Sequence, residues 1–212
     1  NTQKYCLPHF LDKIKVLRDN PVISIEAGEV NKHLETCKQV WNQLSDLGAD
    51  RKSLLINLGG GVVTDLGGFV AAAFKRGIHF INIPTTLLSM VDASVGGKTG
   101  VDFQGLKNQI GIITNPELVI IDSIFLKTLP ENEYRSGYSE MLKHGIISDA
   151  EFFKKLSKYH SFEENDISPL IHHSVSIKNS VVTDDPLEKN LRKILNFGHT
   201  LGHAIESYFL VN

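Results

Sequence analysis

Apolar runs of strand length alternate with helical patterns in the first part of the chain. Ser53–Leu58 (SLLINL) is a continuous apolar run, which is typical of a parallel strand covered on both faces. Further strands are predicted at Pro21–Ile25, Ile78–Ile83 and Leu118–Asp122, and helical periods at 8–18 and 30–47. This alternation predicts an α/β domain with a parallel sheet.

After about Asp122 the chain shows helical patterns alone. The four predicted helices span 131–147, 149–158, 167–184 and 187–209. The change in pattern predicts an α/β domain over 1–125 and an α-helical domain over 126–212. Because the chain begins with Asn1 rather than Met and ends in an apolar run without a helix stop, we expect an interior fragment of a longer protein.

Charge and cysteine content narrow the classes of partner. The net charge of -2 at pH 7 gives no electrostatic basis for binding nucleic acid or an anionic membrane. The two cysteines, Cys6 and Cys37, are too few for a disulfide framework, which favours a cytoplasmic location. No apolar run approaches the roughly 18 residues that a membrane-spanning helix needs.

Three glycines follow SLLINL, and a helical pattern begins directly after them (GGGVVTDLGGFVAAAF). Glycines at such a turn let the backbone approach a phosphate, and a helix N-terminus offers N–H groups to it. The motif is neither a complete G-x-G-x-x-G nor a Walker loop. A tight turn with close helix packing at Gly67–Gly68 explains the glycines equally well, and Asp65 alone can be an acid favoured by the helix dipole.

A second glycine-rich segment follows the strand at Ile78–Ile83. Its polar side chains are Thr85, Thr86, Asp92, Lys98, Lys107 and Asn108. Glycines beside a lysine, as in DASVGGKTG, suit a backbone that wraps around an anion. A solvated loop with scattered charges is the alternative.

The helical part offers candidate metal ligands. Glu140 and Lys143 are spaced i, i+3 on one helical face, and His199 and His203 have the i, i+4 spacing of a two-histidine zinc pair. Thr200 stands where hydrolytic zinc enzymes carry a glutamate, which argues against a metalloprotease. An isolated H-x-x-x-H is more often accidental than metal-binding, but a carboxylate such as Glu140 strengthens the metal interpretation.

Five motifs in this order resemble the 3-dehydroquinate synthase family: GGGVVTDLGGFVAA, RGIHFINIPTTLLSMVDASVGGKTGVD, KNQIG, SGYSEMLKHGII and LRKILNFGHTLGHAIE. The resemblance implies a Rossmann-like NAD-binding domain followed by an α-helical metal- and substrate-binding domain. It implies a lyase of the shikimate pathway that forms homodimers. The implied cofactors are NAD and a divalent metal, which is normally zinc, with cobalt as the alternative. Such enzymes convert 3-deoxy-D-arabino-heptulosonate 7-phosphate into 3-dehydroquinate and phosphate.

The resemblance also implies roles for individual residues. Glu29 and Lys32 would bind the adenosine ribose. The cofactor-binding set is completed by Gly60, Gly61, Asp65, Thr85, Thr86, Lys98, Lys107, Phe125 and Thr128. The substrate-binding set is Asp92, Lys98, Lys107, Asn108, Arg192 and Arg76, of which Arg76 would reach the phosphate site of the other subunit.

For the helical part, the resemblance implies Glu140 and His199 as metal ligands. The implied catalytic residues are Lys143, Lys178, Asn196 and His203. Because His203 would serve the substrate, the H-x-x-x-H pair should supply one metal ligand rather than two. The third ligand of the family is a histidine in a segment beyond Asn212.

Three alternative functions remain compatible with the sequence. A related sugar-phosphate cyclase would act on a different heptulose or hexose phosphate. A metal-dependent polyol or glycerol-phosphate dehydrogenase would share the nucleotide domain and the metal, but a simple polyol has no carboxylate to pair with Lys98, Lys107, Asn108, Arg192 and Asn196. A non-catalytic NAD-binding module is the third.

Overall fold

The computed structural model describes residues 1–158, 166–198, 201–202, 205 and 208. The chain divides into two units, Asn1–Gly137 and Tyr138–Asn212. The strands are β1 (Leu54–Gly59), β2 (His79–Pro84), β3 (Lys98–Phe103), β4 (Leu106–Ile113) and β5 (Leu118–Val119). The helices are α1 (Leu7–Lys13), α2 (Leu34–Asp46), α3 (Gly61–Ala73), α4 (Glu131–Ser148), α5 (Ala150–Ser157) and α6 (Ser168–Asp184). Shorter 3₁₀ or π turns lie at Thr2–Cys6, Lys15–Leu17, Glu29–Asn31, Phe74–Arg76, Ser89–Ala93, Ser123–Thr128 and Leu191–Asn196.

A parallel sheet with the strand order β1-β2-β5 organises the first unit, which confirms the predicted α/β fold. The register pairs Asn57 with Asn82 in the middle of β1 and β2, and Gly59 with Pro84 at their carboxyl ends. The backbone N–H of Thr85 donates to the Gly59 carbonyl at 2.9 Å. The segments that leave the two strands therefore start side by side at one edge of the sheet.

Helix α3 lies against the sheet through glycines. A Cβ atom on Gly67 would lie 2.1 Å from Asn57 Oδ1, and one on Gly68 would lie 2.5 Å from Thr99 Cγ2. Asn57 itself is buried and donates from Nδ2 to Asn82 Oδ1 at 2.9 Å, so this polar pair is satisfied inside the sheet. Close packing at Gly67–Gly68 is confirmed, and only glycine fits there without moving the helix.

The core of this unit joins α2 and α3 to β2. Cys37 and Val40 of α2 are buried with Phe69 and Val70 of α3, and the indole N–H of Trp41 donates to the Val70 carbonyl at 3.1 Å. Fully burying an aliphatic or aromatic side chain of this kind contributes about 1.5–3 kcal/mol. Burial raises the pKa of the Cys37 thiol to about 11, so this cysteine stays protonated and unreactive at neutral pH.

Two sequence-based element predictions differ from the structure. Pro21–Ile25 is not a strand: Ile23 and Ile25 are partly buried against the α2–α3 core, but the backbone stays outside the described sheet. An apolar run becomes a strand only where a neighbouring strand offers hydrogen bonds, and periodicity does not report this. The predicted helix at 187–209 is interrupted, because Gly198 after the turn Leu191–Asn196 has a φ of +83°.

The glycine-rich segment forms an antiparallel hairpin of β3 and β4 rather than an irregular loop. Gln104 and Gly105 connect the strands with φ values of +51° and +78°, as a two-residue type I′ turn requires. Gly111 lets the strands pair closely, since a Cβ atom there would lie 2.2 Å from the Thr99 carbonyl oxygen. A Gln-Gly pair between two stretches containing β-branched residues was the sequence signal for this turn.

The second unit is helical, as predicted. The Asp149 side chain caps α5 by accepting a hydrogen bond from the backbone N–H of Phe152 at 2.9 Å. The Tyr138 hydroxyl donates to the Leu156 carbonyl at 2.7 Å and connects α4 to α5. In neither unit does the described part of the chain contain a helix long and apolar enough to span a membrane. The boundary predicted after residue 125 stays a prediction.

Candidate functional site

The first part of the site is the sheet edge where β1 and β2 end. Gly60 and Gly61 lead from β1 into α3, and a Cβ atom on Gly60 would lie 3.0 Å from Thr86 Cγ2. Thr86 Oγ1 donates to Ser89 Oγ at 2.9 Å, which fixes the turn after β2. A helix N-terminus at the carboxyl end of a parallel strand is the usual place for a bound phosphate.

A buried lysine forms the centre of a second group of predicted site residues. Lys32 Nζ lies 2.6 Å from Asp65 Oδ2, 2.7 Å from Asn108 Oδ1 and 3.8 Å from Glu29 Oε1. The Lys32 side chain is 4% exposed and that of Asp65 19%. The structure thus brings together residues predicted for the ribose, for the rest of the cofactor and for the substrate.

A backbone hydrogen bond connects the β3–β4 hairpin to the same lysine. The Asp102 N–H donates to the Lys32 carbonyl at 2.8 Å, and Asp102 Oδ1 accepts from the Asn108 N–H at 2.8 Å. Asn108 has a φ of +54°, a conformation that asparagine tolerates better than most residues. Lys32 therefore positions Asn108 through both its backbone and its side chain.

Burial dominates the electrostatics of Asp65. Desolvation raises the pKa of this carboxyl from 3.8 to about 6, although the Lys32 ammonium lowers it. The carboxylates of Asp92 and Glu29 raise it further. The charge of Asp65 therefore changes as the pH passes through about 6.

Two residues of the predicted cofactor-binding set, Thr85 and Thr128, interact with Cys6, which was not predicted as a site residue. Burial raises the pKa of the Cys6 thiol, and hydrogen bonds with Thr85 and Thr128 offset part of this rise. Phe125 is buried in the same 3₁₀ turn as Thr128, and its ring meets the His9 ring edge-on with centroids 5.8 Å apart.

The remaining predicted residues of the first unit are more exposed. Lys98 and Lys107 are exposed on β3 and β4, whereas Asp92 is half-buried in the turn Ser89–Ala93. Arg76 is exposed beyond the C-terminus of α3 and has a φ of +70°. Since α3 has 13 residues at about 1.5 Å each, Arg76 lies roughly 20 Å from Gly61 and does not join the group at the sheet edge.

In the second unit, Glu140 is surrounded by nitrogen atoms. Its Oε1 lies 2.6 Å from Lys143 Nζ and 3.3 Å from His144 Nε2, and its side chain is 10% exposed. Lys143 also donates to the Leu195 carbonyl at 2.6 Å, which connects α4 to the turn Leu191–Asn196. His144 was not among the site residues predicted from the sequence, although it is spaced i, i+4 from Glu140.

Three further predicted residues of this unit have their own partners. Lys178 is buried on α6, one helical turn after Ser174. Arg192 is buried and donates from a terminal guanidinium nitrogen to the Pro186 carbonyl at 2.9 Å. Asn196 Nδ2 donates to Glu188 Oε1 at 2.8 Å. His199 and His203 lie outside the described residues.

The described donors fit a metal only in part. Among the residues whose positions are described, no three histidine, cysteine, aspartate or glutamate side chains converge on one point. Glu140 Oε1 is nevertheless buried without an aligned hydrogen-bond partner, because Lys143 is near in distance but not in direction. A buried carboxylate oxygen with a free lone pair is a suitable ligand for zinc.

A parallel sheet that ends in a glycine turn beside a helix N-terminus is typical of nucleotide-binding α/β proteins, the dinucleotide-binding ones among them. Residues 22–136 match the family model described as 3-dehydroquinate synthase N-terminal, and residues 137–212 match 3-dehydroquinate synthase C-terminal. The chain therefore belongs to the 3-dehydroquinate synthase family.

Individual relatives agree with this assignment. The 3-dehydroquinate synthase of Parabacteroides distasonis is 47% identical over 98% of this chain and 59% of its own length. Among solved structures, the chain is similar to 2-epi-5-epi-valiolone synthase from Streptomyces hygroscopicus subsp. jinggangensis 5008 with NAD⁺ and Zn²⁺ bound. The sequence identity is 33%, and the TM-score is 0.76 over 82% of this chain and 51% of that one. A 2-deoxy-scyllo-inosose synthase complexed with carbaglucose-6-phosphate, NAD⁺ and Co²⁺ is 26% identical, with a TM-score of 0.81 over 94% and 56%. The chain thus spans 59% of the curated relative's length.

The raised pKa of Asp65 gives a testable pH dependence. The folded protein binds the Asp65 proton more tightly than the unfolded chain does. The contribution of this proton to the free energy of unfolding is therefore complete below about pH 4 and is lost as the pH rises through about 6. The free energy of unfolding of Asp65→Asn, relative to the parent, should therefore rise between pH 4 and 7 and then level off. Since one pKa unit corresponds to about 1.4 kcal/mol, the rise should reach at most about 3 kcal/mol.

Urea unfolding at several pH values measures this difference. Asp50→Asn is the control of opposite sign, because hydrogen bonds from Lys52 and Ser53 lower the pKa of the Asp50 carboxyl. Its contribution to stability should be lost as the pH falls below about 4. A difference between Asp65→Asn and the parent that stays constant from pH 4 to 7 would contradict the assignment.

Proposed function

We propose that the full-length protein carrying this chain is a 3-dehydroquinate synthase of the shikimate pathway. It would convert 3-deoxy-D-arabino-heptulosonate 7-phosphate into 3-dehydroquinate and phosphate through oxidation, phosphate elimination, reduction, ring opening and aldol closure. The observation that carries the proposal is the contact of Lys32 with both Asp65 and Asn108 in a member of this family. One buried cation joins residues implied for the cofactor to a residue implied for the substrate.

The sheet edge would hold NAD. Gly60, Gly61 and Asp65 would bind the pyrophosphate and its neighbouring groups, and Glu29 and Lys32 the adenosine ribose. The wall beside the nicotinamide would be formed by Thr85, Thr86, Phe125 and Thr128. The NAD⁺ bound in the two structural relatives supports this assignment.

Glu140 and His199 would be two of the ligands of a divalent cation, zinc or else cobalt. The buried and unsatisfied Oε1 of Glu140 supports its part in this site, as do the Zn²⁺ and Co²⁺ of the structural relatives. When bound, NAD would accept a hydride from the carbon of a substrate hydroxyl group and later return it, and the cation would polarise the oxygen of that hydroxyl group.

The charges of the chain fit a substrate with both a carboxylate and a phosphate. Lys98, Lys107 and Asn108 lie on one hairpin, where two cations and an amide can form charge-assisted hydrogen bonds with an anion. Asp92, Arg192 and Asn196 would complete substrate binding. In the second unit, Lys143, which donates to the Leu195 carbonyl and lies 2.6 Å from Glu140, would contact the substrate. Lys178 and His203 would act beside it.

A related sugar-phosphate cyclase is the second candidate, and it is supported by the similarity to the two cyclase structures. A turnover assay separates the candidates by substrate. We expect the full-length protein, with NAD and zinc, to release phosphate from 3-deoxy-D-arabino-heptulosonate 7-phosphate and not from a heptulose phosphate without a carboxylate or from a hexose 6-phosphate. Removal of the metal with a chelator should abolish release, and added zinc should restore it.

Two outcomes would contradict the proposal. Phosphate release from a substrate without a carboxylate would identify another cyclase. Net accumulation of NADH with glycerol would identify a dehydrogenase, because a cyclase regenerates NAD within each turnover and accumulates no NADH.

We also propose that the protein is a homodimer in which Arg76 reaches the substrate site of the other subunit. Its exposure and its distance from Gly61 support a role outside the site of its own subunit. Arg76→Ala should therefore be inactive by itself, whereas mixed dimers with a Lys143→Met parent should regain activity at one site. In those dimers, one site combines an intact Lys143 with the partner's Arg76.

Lys75→Ala is the matched control, since Lys75 is an exposed cation one residue earlier with a φ of +49°. Its homodimers should keep their activity. Mixed dimers that stay inactive, or an Arg76→Ala protein as active as the Lys75→Ala protein, would contradict the shared site.

A further inference from the structure

A buried histidine lies one helical turn after the proposed metal ligand on α4. His144 has no exposed surface, and its Nε2 atom lies 3.3 Å from Glu140 Oε1. Among the described residues, neither atom has an aligned hydrogen-bond partner. Each buried polar atom left unsatisfied costs about 1–3 kcal/mol. Packing alone therefore does not explain why these two polar atoms lie opposite each other in a buried position.

The other ring nitrogen of His144 is held by α6. Nδ1 lies 2.7 Å from the hydroxyl oxygen of Ser174, which is itself fully buried. A neutral imidazole carries one proton, and the partner of one nitrogen decides which nitrogen carries it. If Ser174 donates to Nδ1, the proton lies on Nε2 and faces the carboxylate. The opposite tautomer would place two lone pairs face to face, 3.3 Å apart and away from water.

Lys143 is the other group near Glu140 Oε1. Its ammonium lies 2.6 Å from Oε1 at the end of a four-carbon chain and also donates to the Leu195 carbonyl. The His144 ring is instead enclosed, with α4 supplying its backbone and Ser174 of α6 fixing its far side. Lys143 therefore divides its charge between Glu140 and the Leu195 carbonyl, whereas the Nε2 side of the enclosed His144 ring has Glu140 as its neighbour.

We propose that His144 is a positioning residue that orients the Glu140 carboxylate toward the divalent cation, and that Ser174 holds the His144 ring in the tautomer this needs. The proposal rests on the metal site proposed above. Groups that hydrogen-bond to metal ligands fix the direction of their lone pairs, and their loss typically lowers metal affinity about 10–100-fold.

Zinc affinity of the full-length protein, measured by competition with a chromophoric chelator, tests this role. His144→Phe keeps a buried ring without a donor and should weaken zinc binding about 10–100-fold. His144→Gln carries an amide N–H that can take the place of Nε2–H and should restore most of the affinity. Ser174→Ala removes a single hydroxyl and should show a smaller loss of the same kind.

Met141→Leu is the matched packing control. Met141 is also fully buried on α4, but adjacent helical residues point in different directions, so its side chain does not face that of Glu140. Thermal unfolding of each metal-free variant reports any general loss of packing. In the cobalt-loaded protein, the visible absorption bands should change in His144→Phe and return in His144→Gln, because they report the ligand geometry.

The outcomes separate the positioning role from the metal site itself. A parent protein that binds no zinc would overturn both. A parent that binds zinc, together with a His144→Phe variant that binds it equally well, would overturn the positioning role alone. Equal losses of affinity in His144→Phe, His144→Gln and Met141→Leu would also overturn it, since they would show a packing effect. Loss in His144→Phe with recovery in His144→Gln would support it.

Discussion

The close approach of α3 to β1 of the parallel sheet and to β3 of the hairpin is the constraint on which the first unit depends. At Gly67 and Gly68 the helix comes so near to β1 and β3 that a methyl group would overlap Asn57 or Thr99. This contact buries the Asn57–Asn82 pair and fixes the position of the helix axis. The start of α3 is then held at the carboxyl ends of β1 and β2, where its N–H groups and partial positive charge are available to an anion.

Lys32 adds a second fixed element to the same edge. A lysine with almost no exposed surface is costly to bury unless it is paired, and here Asp65 and Asn108 both contact its ammonium. The connection joins three stretches that are far apart in the chain: the turn Glu29–Asn31, helix α3 and the β3–β4 hairpin. In the second unit, Glu140 lies beside Lys143 and His144. The His144 ring in turn contacts Ser174. In both units a carboxylate lies close to nitrogen atoms of side chains that have further hydrogen-bond partners.

Much of this was predictable from sequence, and the limits have physical causes. Continuous apolar runs correctly predicted β1 and β2, although Leu54 and His79 at the starts of these strands are exposed. The glycines after β1 correctly indicated both a turn and a close helix contact. Pro21–Ile25 has an equally apolar sequence but forms no strand, since pairing depends on a neighbouring strand. The contact between Lys32 and Asn108 joins residues 76 positions apart, which no local pattern reports. The role of His144 depended on Ser174, 30 residues later.

The most direct test of the site is hydrogen exchange of the full-length protein with and without NAD. If the start of α3 holds the pyrophosphate, NAD should slow amide exchange at Gly60–Leu66 and at Thr85–Ser89 more than anywhere in α5, which serves as the internal control. Exchange that is unchanged in these two segments while NAD is bound, or protection confined to other parts of the chain, would show that NAD binds elsewhere.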